Sequence, residues 1–154
     1  MSLWQRLLAH EGNAVYVGDQ VYSYAELRAL STTLASQLGG ERSLVLLLAD
    51  NSLPSLIHYL ASLQAGHAVL LLNADLPAAT RQELITRYDP HCLLMPDAEP
   101  VCLHDRPLAL APELAVMLTT SGSTGGAKLV RLSEANLLAN AESIVSYLQM
   151  QPSD

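Results

Sequence analysis

The sequence predicts an α/β fold in which a mostly parallel or mixed β-sheet is flanked by helices. Three observations carry this expectation. The runs Leu44 to Ala49, Val69 to Leu72 and Leu114 to Thr119 are apolar with little alternation, as suits strands covered on both faces. The segments between them have apolar residues at helical spacing, with Gly or Pro at their ends. Alternating strands and helices, joined by right-handed crossovers, form a sheet whose ligands bind at the carboxyl ends of its strands.

Taken in order, Leu3 to His10 reads as a helix, and Ala14 to Val17 with Val21 to Ser23 as a hairpin turning through Gly18-Asp19-Gln20. Ser23-Tyr24-Ala25-Glu26 is a capping-box pattern, opening a helix that runs through Leu38 and stops at Gly39-Gly40. After the strand at Leu44 to Ala49, Leu53, Leu56, Ile57, Leu60 and Leu63 form one apolar helical stripe, with Gly66 as the C-terminal stop. Val69 to Leu72 is the next strand and Ala78 to Tyr88 the next helix, ended by Asp89-Pro90. Cys92 to Met95 is a further buried strand. Asp97 to Pro112, punctuated by prolines, reads as a surface excursion with one short strand candidate, Val101 to His104. Leu114 to Thr119 returns to the core, Lys128 to Leu132 is β-like, and a helix extends from Ser133 to about Leu148.

A chain of 154 residues, half of them hydrophobic, can bury one sizeable core, and 1–154 is read as a single partial domain. A formal charge of −7 leaves no basic stripe for phosphodiester backbones, so nucleic acid is not expected as a partner. The longest apolar run is far short of the roughly 20 residues a membrane span requires, and the N-terminus lacks the layout of a signal peptide. A cytoplasmic protein is the expectation. Cys92 and Cys102 have no metal-ligand spacing and are read as reduced, buried apolar filler.

The segment with chemical content is Thr120-Ser121-Gly122-Ser123-Thr124-Gly125-Gly126-Ala127-Lys128. A core strand delivers the backbone into it. Glycines without Cβ allow several amide N–H groups to converge on one anion, hydroxyls add donors, and the sole lysine of the chain adds positive charge. A Walker A loop is excluded by Ala127 and Leu129 on either side of Lys128. A nucleophile elbow fails because Thr119 and Ser121 stand where Gly must precede the serine, and the spacing of Gly122, Gly125 and Gly126 does not match the dinucleotide fingerprint.

Thr120-Ser121-Gly122-Ser123-Thr124-Gly125-x-x-Lys128 resembles the signature loop of the adenylate-forming superfamily, which includes acyl-CoA synthetases, nonribosomal peptide adenylation domains and luciferases. Tyr22-Ser23-Tyr24-x-Glu26-Leu27, Val45 to Asn51-Ser52, and Gln64-Ala65-Gly66-His67-Ala68-Val69 are similar to further stretches of that family. Three positions depart from its pattern. Ala127, Lys128 and Leu129 stand where Pro, Lys and Gly are usual, and Glu134 where a His often follows the loop.

The resemblance implies the N-terminal part of the large domain of an adenylate-forming enzyme. In such an enzyme a carboxylate attacks the α-phosphate of ATP with Mg²⁺, and a thiol then takes the acyl group. It assigns ATP phosphate binding to Thr120, Ser121, Gly122, Ser123, Thr124, Gly125 and Lys128, with Thr124 near the magnesium ion. No catalytic residue is expected within the chain. Family members run to roughly three times this length, which places the adenine and acyl pockets downstream. The expectation is therefore a chain inactive alone, prone to self-association through surfaces such segments would cover. The carboxylic acid stays open between an acyl-CoA-type substrate and an amino acid, and a non-catalytic nucleotide-binding or interaction module is the other class.

His10, His58, His67, His91 and His104 show no ligand spacing and are read as structural, His67 being notable for opening a core strand. Asp75, Asp89 and Asp97 are read as turn residues, and Tyr22 and Tyr24 as packing residues.

Overall fold

The computed structural model describes residues 3–106, 108–119 and 129–151. The elements follow in the expected alternation: α1 (Leu3–Leu8), β1 (Asn13–Val17), β2 (Gln20–Ser23), α2 (Tyr24–Leu38), β3 (Leu44–Ala49), α3 (Leu53–Gln64), β4 (Ala68–Asn73), α4 (Ala78–Tyr88), β5 (Cys92–Leu94), β6 (Val101–Cys102), β7 (Leu114–Thr119), β8 (Leu129–Ser133) and α5 (Glu134–Leu148). β1 and β2 form a separate antiparallel ribbon. The main sheet has the order β6-β5-β3-β4-β7-β8. Its four inner strands are parallel, and the edge strands β6 and β8 run antiparallel to their neighbours.

The unalternating runs are explained by two cores. Val45 and Leu47 of β3 and Val69 of β4 point to one face, where Leu27, Leu34 and Leu38 of α2 and Ile57 and Ala61 of α3 cover them. Leu44, Leu46 and Leu48 of β3 and Leu70 and Leu72 of β4 point to the other, against Leu84 of α4 and Leu108 and Leu110 of the excursion. Successive residues of a strand face opposite sides, so a strand between two helical layers is apolar throughout.

Local signals act as expected. The Ser23 hydroxyl accepts from the Glu26 amide at 3.2 Å, and the Glu26 carboxylate accepts from the Ser23 amide at 2.7 Å. This second bond holds the Glu26 carboxyl below its ordinary value. Ser133 and Asn136 repeat the reciprocal cap at α5, at 3.1 and 3.0 Å. Gly40 (φ +84°) and Gly66 (φ +81°) supply the left-handed backbone after α2 and α3.

Arg42 fastens the amino ends of three strands together. Its guanidinium donates to the carbonyls of Gly66 (2.7 Å), Ala111 (3.2 Å) and Leu114. α5 is different: none of its residues is buried, and Tyr147 and Leu148 are 85% and 60% exposed. It is tied to α1 by the Arg6–Glu142 ion pair at 2.7 Å and by a hydrogen bond from the Leu3 amide to Glu134. Among the described residues no helix is long and apolar enough to cross a membrane.

Candidate functional site

The residues expected to bind phosphate, Thr120, Ser121, Gly122, Ser123, Thr124, Gly125 and Lys128, lie outside the described residues. Their frame is described. β7 and β8 pair antiparallel through Leu118↔Val130 and Thr119↔Leu129, so residues 120–128 begin and end at one rung, at the carboxyl end of an inner parallel strand. That is the edge at which a parallel α/β sheet receives ligands.

The turns beside it along the same edge are polar. After β3, the Asp50 carboxylate accepts from the Ser52 hydroxyl and, at 2.7 Å, from the Ser55 hydroxyl. The Asp50 amide donates to Ser55 Oγ at 3.1 Å. Ser52 also caps α3, accepting from the Ser55 amide at 3.3 Å. The hydroxyls of Ser52 and then Ser55 hold the Asp50 carboxyl below its ordinary range, so it is charged at neutral pH. After β4, Asn73 Oδ1 accepts from the Asp75 amide at 2.8 Å. The turn expected of Asp75 is thus made by its neighbour's side chain. Asp50 already accepts two hydroxyls as part of the α3 cap, and among the described residues no cluster of three metal-ligating groups lies at this edge.

A cleft of about 570 Å³ opens between α2, α3 and residues 96–100, lined by Leu30, Leu34, Leu53, Ile57, His58 and Glu99. His58 is buried there, and its Nδ1 has no partner among the described residues. Burial pushes its pKa down, with the Glu99 carboxylate opposing, so the ring is neutral. His58 shares the cleft wall with residues 96–100, which come from a distant part of the sequence.

The opposite, amino edge of the sheet holds His67, His91 and His104. His67 Nδ1 meets the amide and hydroxyl of Ser43 at 3.2 and 3.1 Å. The His67 and His91 rings are 6.5 Å apart, and those of His91 and His104 6.0 Å. Asp89, expected as a turn residue, takes a left-handed conformation at the end of α4, and its carboxylate pairs with Arg106 at 2.9 and 3.0 Å. Cys92 is buried as expected, and burial raises its thiol pKa to about 11. Cys102 departs from expectation: it is exposed, because β6 is the edge strand of the sheet among the described residues. His91, Cys102 and Asp105 converge in the fold despite having no ligand spacing in sequence.

Comparison with known proteins places this arrangement. Over 176 aligned positions the chain is 29% identical to the nonribosomal peptide synthetase otaB of Aspergillus niger, an alignment covering 98% of this chain and 9% of that protein. Among solved structures it is similar to ATP-bound MatB from Rhodopseudomonas palustris, with a TM-score of 0.80 and 26% identity over 99% of this chain and 39% of that one. It is also similar to a variant of E. coli MenE with bound OSB-AMS, with a TM-score of 0.72 and 28% identity over 97% of this chain and 37% of that one. The chain therefore spans well under half the length of each. The large domain of adenylate-forming enzymes is thus the fold to which the expected sheet corresponds. Residues 4–109, from α1 through the β5–β6 pair, match the family described as AMP-binding enzyme, and the chain belongs to that family.

Proposed function

We propose that this chain is the phosphate-binding portion of an ATP-dependent, carboxylate-activating ligase, which forms an acyl-adenylate and then a thioester. The observation that carries the reading is the Thr119↔Leu129 rung. It anchors a Ser/Thr/Gly segment with a single lysine at the ligand-receiving edge of the sheet. In this reading the amides and hydroxyls of Thr120, Ser121, Gly122, Ser123, Thr124 and Gly125, with the ammonium of Lys128, hold the β- and γ-phosphates of ATP. Their role is electrostatic, since the departing pyrophosphate gathers charge that fixed donors offset. Mg²⁺ would neutralise phosphate oxygens, with Thr124 beside it; this assignment rests on the resemblance of the loop.

The chain spans 39% of an ATP-bound neighbour, which supports a division of labour in which adenine and acyl groups are held by residues outside 1–154. A cytoplasmic location fits that chemistry, in which ATP and a carboxylic acid are the small-molecule partners. The nonribosomal peptide synthetase relative favours a second reading, in which the carboxylate belongs to an amino acid.

The test is direct binding of tripolyphosphate and ATP to the purified chain by calorimetry. Equal affinities are expected, because the loop reads phosphates alone, with AMP much weaker. Lys128→Ala should weaken both by about 10-fold, the loss of one charge-assisted contact. ATP–pyrophosphate exchange by the chain should be absent with fatty and amino acids alike. Tripolyphosphate binding unaffected by Lys128→Ala, or exchange by the chain itself, would overturn the assignment.

A further inference from the structure

The cluster at the amino edge is not used by the nucleotide chemistry, and its donor set is of a different kind. His91 immediately precedes β5, Cys102 closes β6, and Asp105 follows three residues later. The β5–β6 ladder pairs Cys92 with Cys102. It continues with a 2.8 Å hydrogen bond from the Leu103 amide to the His91 carbonyl. Backbone pairing therefore fixes the spacing of His91 and Cys102. A ring nitrogen of His91, Cys102 Sγ and an Asp105 carboxylate oxygen lie within 4.8 Å of one another.

Two details distinguish this group from a chance meeting of polar side chains. His91 Nδ1 is hydrogen-bonded to the His104 carbonyl, which can only accept. The ring proton is therefore on Nδ1 and the lone pair on Nε2. A backbone carbonyl sets the tautomer of metal-bound imidazoles in the same way. Cys102 Sγ and Asp105 Oδ1 are 3.5 Å apart. That contact is a thiol-to-carboxylate hydrogen bond; zinc bonds of about 2.3 Å to sulfur and about 2.1 Å to oxygen at the tetrahedral angle separate those atoms by about 3.6 Å, so a metal can take the place of the thiol proton with little movement of either side chain.

The surrounding residues hold the loop in place. His104 Nδ1 accepts from the Arg106 amide at 3.1 Å, and His104 Nε2 bonds the Asp89 carbonyl at 3.0 Å. The Arg106–Asp89 pair fastens the same stretch to the end of α4. A cleft of about 450 Å³, lined by Gly39, Gly40, Glu99 and the three donors, leaves the group open to solvent on one side.

We propose that His91, Cys102 and Asp105 form a binding site for a divalent transition metal, Zn²⁺ in the first instance, with the fourth position taken by water. Nitrogen, thiolate and carboxylate donors together favour such a metal over Mg²⁺ or Ca²⁺. On binding, the Cys102 S–H bond gives way to an S–Zn bond and the proton leaves to solvent. The metal fastens the outer strand β6 and the loop after it to the amino end of β5.

The experiment uses the reduced chain, stripped with chelator and titrated with Zn²⁺ or Co²⁺ alone. One zinc per chain should survive gel filtration, and Co²⁺ should give tetrahedral d–d bands with a thiolate-to-cobalt charge-transfer band. Cys102→Ser should abolish that band and weaken zinc binding at least about 100-fold, with Asp105→Asn weakening it about 10-fold or more. Both residues are exposed, so the variants should keep the wild-type circular dichroism. The wild-type cobalt spectrum needs no variant at all. Absence of the charge-transfer band, or zinc retention by Cys102→Ser equal to wild type, overturns the site.

Discussion

Leu46 and Leu47 are adjacent in β3, both 0% exposed, and directed to opposite faces of the sheet. Truncating either to Ala should therefore be about equally destabilising, though the two changes disturb entirely different neighbours. Each removes three carbon groups worth about 0.8 kcal/mol apiece, or about 2.4 kcal/mol. A residual cavity of about 50 Å³ at about 24 cal/mol per Å³ adds about 1.2 kcal/mol. The sum, about 3.6 kcal/mol, corresponds to a fall of roughly 7–14 °C in Tm for a domain of this size. Urea denaturation followed by circular dichroism gives the free energies, and Leu148→Ala on the exposed side of α5 is the control, expected within about 0.5 kcal/mol of wild type. If Leu46→Ala or Leu47→Ala cost under 1 kcal/mol, one face of β3 would be open to solvent and the two-layer reasoning would fail.

Acid should destabilise the fold through His58. Its folded pKa lies below the ordinary 6.5 because burial penalises the charged ring, so between the two values the unfolded chain binds more protons. Stability is then complete above about pH 6.5 and falls as pH drops toward the folded value, by at most about 1.4 kcal/mol per pH unit for this group. Urea midpoints measured across that window should decline less steeply in His58→Gln, with the remaining slope coming from His67, whose pKa burial also lowers. Equal slopes in wild type and variant would exclude His58 as the source. Self-association through the exposed apolar side of α5, where Ile144, Val145, Tyr147 and Leu148 lie in one stretch, should appear as a concentration-dependent sedimentation coefficient. Tyr147→Glu should suppress it, and a strictly monomeric wild type at high micromolar concentration would count against it.

The parallel core was legible because its physics is local: Leu44–Ala49 is covered on both sides and so cannot alternate. The Ser23–Glu26 cap and the glycine stops after α2 and α3 were legible for the same reason, since their partners lie within a few residues. What escaped depends on long-range pairing. The exposure of Cys102 follows from β6 being outermost, and strand order is not written in any single segment. His91 and Cys102 are eleven positions apart and meet only because β6 returns antiparallel to β5. Similarly, nothing in the sequence near Arg42 marks its role, because it is bound to carbonyls 24, 69 and 72 residues away. For the segment proposed to bind phosphate, spelling spoke first, and the structure added the two residues that flank it, Thr119 and Leu129.

Burial changes along the inner strands in a consistent direction. β3, β4 and β7 are each buried at their amino ends and become partly or fully exposed at their carboxyl ends. At the buried end, Arg42 laces Gly66, Ala111 and Leu114 together. Packing is thus graded along the strands, dense at the base of the sheet and open at its rim. By the same gradient, substitutions at the rim cost little folding free energy, so chemistry there can diversify while the base continues to specify the fold.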